Sequence, residues 1–183
     1  DIGDRDECIR HAREAVKRGF VNDEPHYLIG MALAFNGRFA EAANALEQAL
    51  QLRPDRFESL MGLGEVLRTV RDFRRALPLF RKAHELRPDD ERAVKYYAEV
   101  AGILAGLEAN DGEVVEAESL IRQALRTNPN DAQFRTLLVE VLLRAGKLAE
   151  AVQEAETASR LAPSDVSVWS NLGVAYIMAT RLD

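Results

Sequence analysis

The sequence predicts an all-α fold of stacked helix–turn–helix hairpins. Three observations carry this. A proline-centred turn recurs, as LRPDRF at 52–57, LRPDDE at 86–91, TNPNDA at 127–132 and LAPSDV at 161–166. Between these turns the apolar residues fall at spacings of three and four, twice per interval, which places each set on one face of a helix. Ala, Leu, Glu and Arg dominate, and no run alternates β-branched residues as a strand would.

Taken in order, residues 1–22 read as the second helix of a truncated repeat, with Cys8, Ala12 and Ala15 in small-residue slots. Residues 23–56 form a full repeat. Ile29, Gly30 and Leu33 mark its first helix, NGRF at 36–39 the break, and Ala42, Leu46, Ala49 and Leu50 its second helix. Residues 57–90 repeat the pattern with Leu60, Leu63, Gly64 and Leu67, then VRDF at 70–73, then Ala76, Phe80 and Ala83. Pro78 sits within that second helix and predicts a kink or a late start, because proline lacks the N–H of the helical ladder.

The next repeat, 91–131, is longer. Pro54, Pro88, Pro129 and Pro163 are separated by 34, 41 and 34 residues. Val94, Tyr97, Ala101, Leu104 and Leu107 hold helical spacing through the extra stretch, so the insertion is placed inside the first helix. That helix is expected over roughly 91–109, overhanging its neighbours by about 10 Å, with NDG at 110–112 as the turn. Gly102 and Gly106 lie four apart on it and predict a close approach to another backbone. Residues 132–165 form a further repeat, and 166–183 the first helix of another truncated one. Together they read as one domain, expected to be a fragment of a longer chain, with the array continuing in both directions or other domains covering its ends.

Local signals fix the junctions. Gly37, Gly112 and Gly146 stand where a helix must end in a left-handed residue. Each proline stops the second helix. Asp55 with Glu58, and Asn130 with Gln133, have capping-box spacing. Gly30, Gly64, Ala98 and Gly173 let paired helices approach, and one hairpin cannot bury its apolar face alone.

This pattern resembles the tetratricopeptide repeat, a 34-residue helix–turn–helix unit. The W-x2-L-G-x2-Y signature is complete at Trp169, Leu172, Gly173 and Tyr176, and Ala76 with Phe80 match its A-x3-F half. The resemblance covers the whole chain and implies a right-handed α-solenoid whose first helices line a concave groove for peptides or partner helices. By register, the groove candidates are Tyr27, Leu28, Met31, Phe35, Met61, Glu65, Arg68, Arg92, Lys95, Tyr96, Glu99 and Asn171. Tyr27, Leu28, Met31, Phe35 and Met61 would form an apolar wall. Arg68, Arg92 and Lys95 would add positive charge, which suits an amphipathic or acidic–hydrophobic segment. The carboxylate clamp of chaperone-binding relatives does not carry over. Glu99 and Leu137 stand where it needs asparagines.

Other chemistry finds little support. A net charge of −6 argues against a nucleic-acid partner. No apolar run reaches the roughly 20 residues of a membrane span. Cys8 is the only cysteine, and His11, His26 and His84 are scattered, so no metal site is assigned. No cofactor-binding or catalytic residues are assigned either, and Glu65, Glu99 and Glu140 read as a solvated stripe. The expectation is therefore a non-enzymatic protein–protein interaction scaffold, soluble and slightly favouring the cytoplasm. The alternatives are a substrate-recruiting region of a larger enzyme such as a transferase, or an assembly scaffold that self-associates through its uncapped ends.

Overall fold

A computed structural model describes the backbone of residues 2–108 and 111–180. It contains α1 (Ile2–Lys17), α2 (Asp23–Phe35), α3 (Phe39–Leu52), α4 (Phe57–Thr69), α5 (Phe73–Leu86), α6 (Glu91–Glu108), α7 (Asp111–Thr127), α8 (Ala132–Arg144), α9 (Leu148–Leu161) and α10 (Val166–Thr180). Among the described residues there is no strand. Contacts divide the chain into unit 1, Asp1–Ala93, and unit 2, Val94–Asp183.

In unit 1, α1 to α5 pack each on the next, and α2 also meets α4. Leu33, Leu46, Leu60, Leu67 and Phe80 fill the core, with Ala42, Ala49, Ala76 and Ala83 fully enclosed between helices. Gly30 and Gly64 act as expected, whereas Gly173 does not, since a Cβ there would meet nothing within 4 Å. A Cβ on Gly30 would lie 2.5 Å from the Leu46 side chain, and one on Gly64 2.6 Å from the Phe80 ring. In unit 2, α7 to α10 pack in succession and α8 meets α10. Val100, Ile121, Leu138, Leu142 and Val168 form its core. The Tyr97 hydroxyl on α6 donates to Glu116 on α7.

The interhelix turns are more uniform than the sequence suggests. After each second helix a backbone hydrogen bond closes across the proline: Arg56 N–H to Arg53 O, Asp90 to Arg87, Asp131 to Asn128 and Asp165 to Ala162. Proline's fixed φ suits the second position of such a turn. The helix cap therefore falls two residues after the proline. Asp90 accepts from Ala93 N–H at 2.9 Å, Asp131 from Gln133 and Phe134 N–H at 2.9 and 3.0 Å, and Asp165 from Ser167 N–H at 2.9 Å. The expected capping boxes do not form. Asp131, not Asn130, caps α8, and Asp55 instead pairs with Lys82 at 2.6 Å. The cap position before α4 holds Arg56, which makes no side-chain cap.

Other expectations are corrected. The extra length of the long repeat is shared between its helices: α6 has 18 residues and α7 has 17, against 13 in α2 and 14 in α3. Asp111 and Gly112 lie in the first turn of α7 rather than in a turn, while residue 110 and the surroundings of Gly106 fall outside what is described. Gly102 faces the Val141 side chain, which would lie 3.2 Å from a Cβ placed there, rather than a backbone. Helix α5 begins at Phe73, so Pro78 causes no late start, and it lies exposed.

Among the described residues the left-handed glycines are Gly19 at φ 84°, Gly37 at φ 74° and Gly146 at φ 70°, and in VRDF the same role falls to Arg71 at φ 63°. A left-handed non-glycine residue costs about 1–2 kcal/mol. Arg71→Gly is therefore expected to stabilise the protein by about 1 kcal/mol, read as a higher urea midpoint. An unchanged or lower midpoint would count against strain at this turn.

Candidate functional site

The first helices of unit 1 carry a small cup. Met31, Ala34 and Phe35 come from α2, Gly62, Glu65 and Val66 from α4, with Phe39 and Thr69 completing the wall. Its volume is about 180 Å³. Phe35 is 68% exposed beside the opening. Gly62 keeps the floor open for Met31, since a Cβ there would lie 2.9 Å from the Met31 Sδ. Two polar side chains line the cup. The Thr69 hydroxyl donates back to the Glu65 carbonyl at 2.8 Å, as helical threonines commonly do. The Glu65 carboxylate is half-buried, and among the described residues no hydrogen bond or ion pair reaches it. Burial pushes its pKa up; the charges of Arg92 and Arg68 pull it down by less, leaving it above the ordinary carboxylate value. Glu65 is thus not part of a solvated stripe.

The rest of the predicted wall disperses. Met61 is 2% exposed and belongs to the core. Leu28 lines a different cavity, of about 380 Å³, shared with Cys8, His11, Ala12 and Ala15 of α1. Tyr27 lies under the Arg56 guanidinium, 4.2 Å from ring centroid to Cζ. Arg56 had no place among the candidates, yet it organises this edge. Its side chain is 10% exposed and pairs with Asp23 at 2.5 Å and Glu24 at 2.6 Å. Burial raises the Asp23 carboxyl, but hydrogen bonding and charge from Arg56 outweigh that and hold it below its usual value. Arg87 stacks on Phe57 at 4.0 Å and pairs with Glu58 at 2.9 Å.

Unit 2 presents a more polar groove of about 370 Å³, lined by Lys95, Glu99 and Ile103 of α6, Gln133, Thr136, Leu137 and Glu140 of α8, and Asp165 and Ser167. Lys95 donates to Gln133 at 2.7 Å, and Asn171 to Glu140 at 3.1 Å. One lysine and three carboxylates make this groove acidic, not basic. Tyr96 is half-buried on α6 and does not line it. Within each unit, the structure joins Met31, Phe35 and Glu65, and separately Lys95 and Glu99, with Asn171 hydrogen-bonded to the latter groove's Glu140. Phe39, Val66, Asp165 and Ser167 are lining residues that face periodicity did not mark.

The tetratricopeptide-repeat profile matches residues 27–91 and again 108–183. The chain belongs to the tetratricopeptide-repeat family. Of its signature residues on α10, Trp169 Nε1 donates to the Pro163 carbonyl at 2.9 Å and the Tyr176 hydroxyl to Glu156 at 2.5 Å. Among sequence relatives, Superkiller protein 3 of Schizosaccharomyces pombe is 30% identical over 148 residues, covering 77% of this chain and 10% of that protein. Protein O-mannosyl-transferase TMTC3 of Mus musculus is 27% identical over 157 residues, covering 81% of this chain and 17% of that protein. The chain thus spans a small part of these relatives. Among solved structures, MamA from Desulfovibrio magneticus RS-1 aligns with a TM-score of 0.75 at 20% identity, covering 86% of this chain and 85% of that one. YrrB, described as a tetratricopeptide-repeat protein with an unusual peptide-binding site, aligns at 0.74 and 19%, covering 92% and 84%. These likenesses establish the tetratricopeptide fold. No helix among the described residues is long and apolar enough to cross a membrane.

Proposed function

We propose that this chain is a protein–protein interaction module that binds a segment of a partner protein on its first-helix faces, anchored in the α2–α4 cup. The observation that carries this is Phe35, 68% exposed at the mouth of a cup with an apolar floor. Exposed aromatic surface beside a pocket is the usual make-up of a binding anchor. Met31 adds a thioether that adapts to differing ligands. The peptide-binding description of YrrB supports the same reading. The similarity to TMTC3 supports a second one, in which these repeats recruit substrate for a larger enzyme. Both use the same surface.

The test is selection of random peptides on the protein, followed by fluorescence anisotropy with the selected peptides. Phe35→Ser is expected to weaken them roughly tenfold, about 1.4 kcal/mol. Val115→Ser, which removes an equally exposed residue on α7, should change nothing. Equal binding to wild type and Phe35→Ser would remove the cup from the binding surface.

A further inference from the structure

The cup has one polar group left to satisfy, and its position defines the ligand. Thr69 spends its hydroxyl on its own helix. The remaining wall offers carbon and sulfur from Met31, Ala34, Phe35, Phe39 and Val66. Glu65 then presents a half-buried carboxylate with no hydrogen bond or ion pair among the described residues. A buried carboxylate that lacks a donor costs more than an exposed one, so a ligand that brings a donor recovers that cost. At about 180 Å³ the cup is below the size of a small-molecule site and fits a single side chain.

We infer that the α2–α4 cup receives a lysine or arginine side chain of the partner segment, its aliphatic stem on Met31, Ala34 and Phe35 and its cationic head at Glu65. Such side chains lay their methylenes on apolar surface and keep the charge at its edge. This inference rests on the proposed function, because it names the chemistry of the anchor in that same cup. Two cations of the protein influence Glu65. Arg68 and Arg92 act on it as charges at a distance, without hydrogen bonding to it, and together they do not offset its burial. A guest cation in direct contact would supply the hydrogen-bond donor that neither arginine gives. The acidic–hydrophobic segment expected from the sequence is replaced by a basic–hydrophobic one. The acidic groove of unit 2 favours the same sign in its own right.

The experiment sequences the peptides that random selection yields, on wild type and on Glu65→Gln. Wild type is expected to enrich lysine or arginine flanked by apolar residues. Glu65→Gln should lose that enrichment while keeping the apolar preference, and the wild-type peptides should bind it roughly tenfold more weakly. Glu65→Gln removes a destabilising buried charge, so its melting temperature at pH 7 should be no lower than wild type, which separates lost binding from lost fold. Peptides that are acidic or uncharged, yet still weakened by Phe35→Ser, would overturn the basic anchor and leave the proposed function standing. Peptides indifferent to Phe35→Ser, or no enrichment at all, would overturn both.

Discussion

Phe80→Ala is expected to destabilise unit 1 by about 3–5 kcal/mol, the usual cost of deleting a fully enclosed aromatic side chain. Phe80 has no exposed surface, and its ring fills the space that Gly64 leaves on the facing helix. Alanine would leave a void between α4 and α5 that two rigid helices close only in part. The complementary change tests the same contact from the other side. A Cβ on Gly64 would stand 2.6 Å from that ring, so Gly64→Val should overpack the interface, at about 1–3 kcal/mol. Circular dichroism during urea unfolding reads both variants, with hydrogen exchange of the α4 and α5 amides to locate the loss. A midpoint for Phe80→Ala within error of wild type would sink this account of the interface.

The second large effect is expected at Arg56. Its guanidinium is held by Asp23 and Glu24 and covers Tyr27. Arg56→Ala leaves those carboxylates crowded together without their cation. Removing one partner of a buried pair costs about 3–5 kcal/mol, and the part-exposed Asp23 and half-exposed Glu24 place this case below that range, at about 1–2 kcal/mol. The pH dependence has a definite sign. Because the folded Asp23 carboxyl sits below its usual value, its pairing contributes stability above the ordinary carboxylate pKa of about 4, and that contribution is lost as pH falls below it. Wild type and Arg56→Ala should therefore converge in stability on acidification. A gap that stays constant from neutral pH to pH 2 would assign the effect to packing on Tyr27 instead.

The fold was legible because its signals repeat. A single proline or a single small residue says little, but Pro54, Pro88, Pro129 and Pro163 with Gly30, Gly64 and Gly173 in register specify hairpins by recurrence. The caps were misplaced by one residue for a local reason. The turn closing across each proline sets the helix start, and the spacing of Asp55 with Glu58 takes no account of that turn. The candidate site was legible only as a face. Helical periodicity told which side of α2 and α4 carries Met31, Phe35 and Glu65. It does not register how far neighbouring helices overlap that side, which buried Met61 and half-covered Glu65 while Phe35 stays largely exposed. Nor does it register contacts over long chain separations, which is why Arg56 escaped notice.

Arg56 also bears on how unit 1 comes apart. The three later junctions place an aspartate at this position and tie down the start of their own helix, an interaction contained within one turn of chain. The first junction gives up that local tie and reaches 33 residues back to Asp23. Such a link binds the fate of the α4–α5 hairpin to that of α2–α3, and nearest-neighbour coupling of this kind governs whether repeats melt together or one by one. Arg56→Asp would restore the local pattern and set three carboxylates side by side. Its unfolding transition should broaden as well as shift, with the two hairpins losing hydrogen-exchange protection separately rather than in concert.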